Sequence, residues 1–146
     1  MTVIAVAVFL LLTAIAALHA AWGFGLRWPA RDERSLVALV IGATGQTRMP
    51  GLAQCLLAAA AIFAAGVVAL LLAGVARVPL PPGFVTLIGV LVFFVFAGRC
   101  IAAYIPAWRR RFAQEPFASM DRTWYGPLCL LLAIGFFAIT IGRVVN

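Results

Sequence analysis

Four uninterrupted apolar stretches, residues 3–24, 52–76, 84–104 and 125–143, decide what this chain can become. Each is close to the ~17–25 residues that a helix needs to cross the hydrocarbon layer of a bilayer. Strands of a transmembrane barrel would be about half that length and would alternate in polarity. Packing the stretches against one another in water fails on size. A chain of 146 residues with 66% hydrophobic and 10% charged content has too little polar surface to wrap so much apolar material. The expected fold is therefore all-α, with residues 1–146 forming one transmembrane domain, a bundle of four spans with antiparallel neighbours.

The first stretch is N-terminal and ends near a small-residue pattern, Ala17-Leu18-His19-Ala20-Ala21, as a secretory signal would. No Lys or Arg precedes it, and it exceeds the ~7–15 apolar residues usual in a signal, so it is expected to be a retained helix. Charge sets the orientation. All eleven cationic side chains are Arg. Arg27, Arg31, Arg34 and Arg48 fall in the first connection and Arg109, Arg110, Arg111 and Arg122 in the third, while Arg77 and Arg143 mark the other side. Because basic loops are retained in the cytoplasm, the first and third connections are expected there, giving an N-out/C-out arrangement. A basic excess of this origin reports topology and does not point to nucleic acid. The planar guanidinium also suits headgroup phosphates.

Proline and glycine punctuate the spans. Pro50 and Pro127 read as residues in the first turns of the second and fourth spans, where a missing amide proton costs little. The run Pro79-Leu80-Pro81-Pro82-Gly83 makes a tight turn between the second and third spans, and Pro106 closes the third. In the first connection Asp32 or Ser35 can cap a short interfacial helix carrying Leu36, Val37, Leu39, Val40 and Ile41, ended by Gly42 and Gly45. The third interleaves Trp108, Phe112, Phe117, Met120 and Trp124 with its arginines, as a segment at headgroup depth does. Two rows of small residues, Thr13, Ala17, Ala21 and Gly25 in the first span and Ala61, Ala65, Ala69 and Ala73 in the second, predict a close contact between those spans. The halves also share a layout of span, arginine-rich loop and Pro-started span with an early Cys, as a duplicated helical hairpin would.

On this topology the unusual residues gather at the cytoplasmic ends of the spans. His19 and Trp22 are three residues apart and share a helix face. Arg99 lies inside the third span and either snorkels to the boundary or holds an anion. Tyr104, Asp121 and Tyr125 border the same region, as do Cys55, Cys100 and Cys129, which read as buried small hydrophobes in a reducing compartment. His19, Trp22, Arg99, Tyr104, Asp121 and Tyr125 are thus the candidate ligand-binding residues. No catalytic residue, metal site or cofactor is assigned, because one His with scattered Cys lacks any metal-ligand spacing. The chain has no phosphate-binding loop, nucleophile elbow or His-Glu-x-x-His. Asp32, Glu33, Glu115 and Asp121 all read as loop residues paired with neighbouring arginines, which weakens proton-coupled export, a process that needs an acid within a span.

The segments His19-Ala20-Ala21-Trp22-Gly23-Phe24-Gly25, Trp28-Pro29, Met49-Pro50, Arg99, Tyr104-Ile105-Pro106, Arg109-Arg110, Pro116-Phe117-Ala118-Ser119-Met120-Asp121 and Tyr125-Gly126-Pro127-Leu128-Cys129 carry a likeness. Through them the chain resembles, over essentially its whole length, a family of small bacterial four-helix membrane proteins known only as a domain of unknown function. The resemblance implies a multi-pass protein of the bacterial cytoplasmic (inner) membrane and no particular activity. The leading expectation is a non-enzymatic membrane protein whose cytoplasmic-side cavity takes a lipid-like small molecule or docks a partner protein. Its partners would be membrane lipids, a second copy of itself or another membrane protein. The alternatives are a membrane oxidoreductase or cofactor protein using His19, and a small oligomeric transporter. Single cysteines placed at positions 31 and 110 are expected to react with impermeant maleimide only from the cytoplasmic side; labelling from outside would invert the whole arrangement.

Overall fold

Inside hydrocarbon a bare backbone finds no water to bond, so apolar stretches of this length close their hydrogen bonds internally as helices. A computed structural model describes residues 1–145. Its regular elements are α1 (Thr2–Gly23), α2 (Glu33–Val40), α3 (Leu52–Leu72), α4 (Pro82–Ala102), α5 (Pro106–Arg111), α6 (Phe117–Met120), a π-helical turn (Asp121–Tyr125) and α7 (Gly126–Val145). Among the described residues, four helical runs are long and apolar enough to cross a membrane: α1, α3, α4 and the continuous run Phe117–Val145. The chain is an all-α, multi-pass membrane protein, and its two longer connections carry the short helices α2, α5 and α6.

Two boundaries differ from the sequence expectation for local reasons. α3 stops at Leu72 because Gly74 takes a left-handed φ of +71°. The amide of Val75 then returns to the carbonyl of Leu70 and that of Gly74 to Leu71, the paired bonds of a Schellman ending. At the other boundary Pro127 does not open the fourth span. It lies inside a helix already running from Phe117, and the helix widens just before it.

The closest helix pairs are α1 with α3 and α4 with α7, so the molecule is two hairpins joined by the turn through Pro79 and Pro81. α1 and α3 do approach closely, but only part of the two expected rows lies inside: Ala17, Gly25 and Ala61 are exposed, while Ala69 is fully buried and Ala65 and Ala73 pack against the core. The residues α1 buries are Ala5, Val8, Leu12 and Ala16, and those of α3 are Cys55, Ala59, Gly66, Ala69 and Leu72. A β-carbon on Gly66 would stand 3.3 Å from the Phe9 ring and 3.4 Å from the β-carbon of Leu12, which shows how near the helices pass. The hairpins meet around Phe136, which is fully buried and stacks on Phe96 with ring centroids 5.8 Å apart. Where α3 ends, the Arg143 guanidinium reaches across from α7 and donates to the carbonyls of Leu71 and Leu72 at 3.0 and 3.2 Å. Carbonyls in a last helical turn have no partner within the helix, and a cation is the best one available.

At the opposite end the two long connections are stitched to each other. Asp32 caps α2 by accepting from the amide and hydroxyl of Ser35 at 2.8 and 3.0 Å, and those bonds hold its carboxyl below the usual carboxylate range. The apolar side of α2 buries Leu36 and Val37. The chain then turns on Gly42, whose φ of +65° favours glycine. The amide of Gln114 donates to the Gly42 carbonyl and the amide of Thr44 to that of Arg111, both at 3.1 Å. A β-carbon on Gly42 would fall 2.3 Å from the ring of Phe117. Gly42→Ala therefore meets both a backbone strain and an overlap. It is expected to cost about 2–4 kcal/mol in reversible unfolding in detergent, whereas Gly98→Ala, on an open surface of α4, is expected to be neutral or slightly stabilising.

Candidate functional site

Pro127 has no amide proton, and its ring crowds the carbonyl of Thr123 four residues back, so an undisturbed α-helix cannot run through it. The helix responds by opening for one turn: the amide of Gly126 donates to the carbonyl of Asp121, five residues earlier. Asp121 stands at the start of this wide turn and is only 2% exposed. A buried carboxylate needs a cation and donors for its remaining lone pairs. Arg99, from the last turn of α4, supplies the cation through Nη2 to Oδ1. Trp108, from α5, donates its indole N–H to Oδ2 at 3.0 Å, and its ring lies 4.9 Å from the guanidinium carbon of Arg99. The Tyr104 hydroxyl donates to the carbonyl of Arg122 at 2.9 Å and ties the end of α4 to the same turn. Gly126 lets α7 close on α4 here, since a β-carbon would stand 3.3 Å from that of Ala103.

A hollow of about 460 Å³ opens beside this cluster, lined by Trp108, Arg109, Arg110, Glu115, Asp121 and Arg122 together with small apolar residues. A second hollow, of about 440 Å³, lies between α1, α3 and the end of α2. His19, Trp22, Ile41, Met49, Gln54 and Cys55 line it. The Nδ1 of His19 donates to the carbonyl of Ile15 at 2.8 Å, which fixes the ring. In the neutral ring this leaves Nε2 as an acceptor with no partner among the described residues. Trp22 packs 5.0 Å from the imidazole and anchors its own N–H on the carbonyl of Trp28 at 2.8 Å.

The six sequence candidates therefore fall into two groups. His19 and Trp22 share the α1/α3 hollow. Arg99, Tyr104 and Asp121 form the other cluster, at the junction of α4 and α7. Tyr125 links the two sides, because its hydroxyl donates to the carbonyl of Leu39 at the end of α2 at 3.2 Å. The candidates do not share one cavity: His19 and Trp22 line the α1/α3 hollow, Asp121 lines the other, and Arg99 and Tyr104 line neither of the two.

One reading of the charged residues is corrected. Asp121, which pairs with Arg99, is a helix residue rather than a loop residue, so a carboxylate does lie within the fourth helical run. The stated objection to proton-coupled export goes with it. Among the described residues Arg99–Asp121 is the one ion pair, while Asp32, Glu33 and Glu115 accept from Ser35, from the Met49 amide and from Ser119. Trp108, Arg109, Arg110 and Arg122 were visible only as headgroup-depth aromatics and topology charges; nothing local marks them as neighbours of Asp121. Cys55 borders the His19 hollow, and among the described residues no three metal-binding side chains converge.

The chain belongs to the family described as protein of unknown function (DUF3995), whose model matches residues 3–136. No curated protein and no solved structure matches it.

The buried pair yields a direct expectation. Arg99→Leu strands a carboxylate that is 2% exposed, and Asp121→Leu removes the partner of a guanidinium. Each is expected to destabilise by about 3 kcal/mol, while the double variant costs no more than either single change, a coupling of about 3 kcal/mol in a double-mutant cycle. Additive losses would show that the two side chains act independently.

Proposed function

We propose that this protein lies N-out/C-out in a bacterial cytoplasmic membrane and binds a small amphiphile in the His19–Trp22 hollow without chemically changing it. The arginine asymmetry supports the orientation, since both basic connections sit at one end of the bundle. The observation that carries the binding reading is the state of His19: one ring nitrogen is tied to its own helix and the other is unpartnered beside a mostly apolar hollow. Small-molecule sites have this character, a largely apolar concavity with a few placed polar groups to fix orientation. Nε2 accepts, so the favoured guest offers a hydroxyl or amine at its head and apolar carbon toward Met49, Cys55 and Ala58.

The same geometry supports a second reading. A His whose Nδ1 is held by a backbone carbonyl presents Nε2 as metal-ligating imidazoles do. That favours a cofactor role over a general acid, and the two readings part on colour.

Native mass spectrometry of the detergent-extracted protein is expected to show a retained amphiphile and no visible absorption band. His19→Ala should weaken retention by about fivefold, the worth of one hydrogen bond, and Ala58→Phe, which fills the hollow, should abolish it. A protein that emerges empty would remove the binding reading. A visible band lost in His19→Ala would replace it with the cofactor one.

A further inference from the structure

The hollow beside the Arg99–Asp121 pair shares no lining residue with the His19 hollow, and its chemistry is opposite. Five ionised groups line it: the guanidiniums of Arg109, Arg110 and Arg122 and the carboxylates of Asp121 and Glu115. Among the described residues neither carboxylate forms an ion pair with any of the three guanidiniums. Asp121 gives one oxygen to Arg99 and the other to Trp108. Glu115 gives one to the amide and one to the hydroxyl of Ser119, at 3.1 and 3.0 Å. Among the described residues the guanidiniums of Arg109 and Arg110 have no hydrogen-bond partner, and that of Arg122 donates only its Nε, to the carbonyl of Ala118. With Asp121 neutralised by Arg99, three guanidiniums face one carboxylate, an excess of two positive charges around about 460 Å³. The other arginine-rich hollow, at Arg27, Arg34 and Arg48, contains both Asp32 and Glu33, an excess of one positive charge rather than two.

We propose that the Arg109–Arg110–Arg122 hollow is a binding site for a phosphate monoester. Such a group carries about 1.5–2 negative charges at neutral pH and several acceptor oxygens, which matches the excess, and guanidinium forks are the side chains best shaped to hold it. The α5 helix brings Arg109 and Arg110 to the rim at the level where Trp108 enters the buried cluster, so the hollow faces headgroup depth. Arg99 does not line it and acts as a positioning residue. By occupying Asp121, it keeps a free carboxylate from repelling the guest.

The test uses the full chain in detergent, titrated with phosphatidic acid, phosphatidylcholine and glycerol phosphate and read by native mass spectrometry. Phosphatidic acid is expected to bind at least about tenfold tighter than phosphatidylcholine. Arg109→Gln with Arg110→Gln should cost about tenfold, whereas Arg27→Gln with Arg34→Gln should change binding by less than about twofold. Displacement by glycerol phosphate assigns the site to a soluble ester; retention of the lipid against it assigns the site to a headgroup. A second comparison separates a built site from a general basic surface. Arg99→Gln should weaken binding although its side chain lies outside the hollow, and adding Asp121→Asn should restore it. Equal losses from the two arginine pairs, or no preference for the monoester, would overturn the proposal.

Discussion

The carboxylate of Asp121 is the constraint around which the loop-side end of the molecule is arranged. A charge that is 2% exposed has lost nearly all its hydration, and only close, well-directed partners restore it. Those partners come from two other elements: Arg99 from α4 and Trp108 from α5. Satisfying one carboxylate therefore fixes how far α4 slides along α7, and it turns the third connection back under the bundle. Replacing the pair by packed apolar side chains could be as stable, but it would not dictate the same register, because dispersion contacts between small residues are tolerant of small shifts and an ion pair is not.

The π turn makes that arrangement possible. Pro127 forbids the ordinary i to i−4 ladder at its own position, and the chain absorbs the fault by widening over Asp121–Tyr125 instead of breaking. One extra residue in a turn changes the phase of everything before it relative to everything after. Residues 117–121 are thus rotated against α7 relative to a straight helix, with Asp121 buried and Tyr125 directed toward Leu39. A single proline in this way couples the ion pair to the contact between the two connections. The same junction holds Phe117 against Gly42, so the short helices α2 and α6 share one apolar seam under both hairpins.

How much of this was legible in the sequence follows from how local each cause is. Span number and the cap at Asp32 depend on neighbours within a few residues, and they were readable. The partnership of α1 with α3 was readable too, but its phase was not. In an alanine-rich helix several small-residue rows exist, and the one that faces the partner is chosen by the larger side chains between them, here Phe9 and Leu12. Asp121 looked like a loop acid because Pro127 resembles a helix start; only the packed structure shows the helix running through it. Its partner lies 22 residues away in sequence, a separation at which no periodicity links two positions. The likeness of the two halves anticipated the two-hairpin layout, yet it hid a difference, since one half pairs its intramembrane cation and the other leaves an imidazole nitrogen open.

That difference follows from what each hairpin has to pair. In the α4/α7 half a buried acid draws a cation into the bundle, and its neighbouring arginines, left without acids of their own, remain at the rim as an anion-attracting surface. In the α1/α3 half no ionised group is buried among the described residues; the two acids of the connection are spent on the cap of α2 and on the amide of Met49, and the hollow above them is apolar apart from His19, Gln46 and Gln54. Two concavities of similar volume thus arise at the same end of one small bundle with unlike linings. The guest that suits the His19 hollow pairs apolar carbon with a small hydroxyl or amine head, whereas the arginine hollow calls for a multiply charged phosphate. The separation of linings therefore argues for two distinct guests rather than one molecule spanning the bundle.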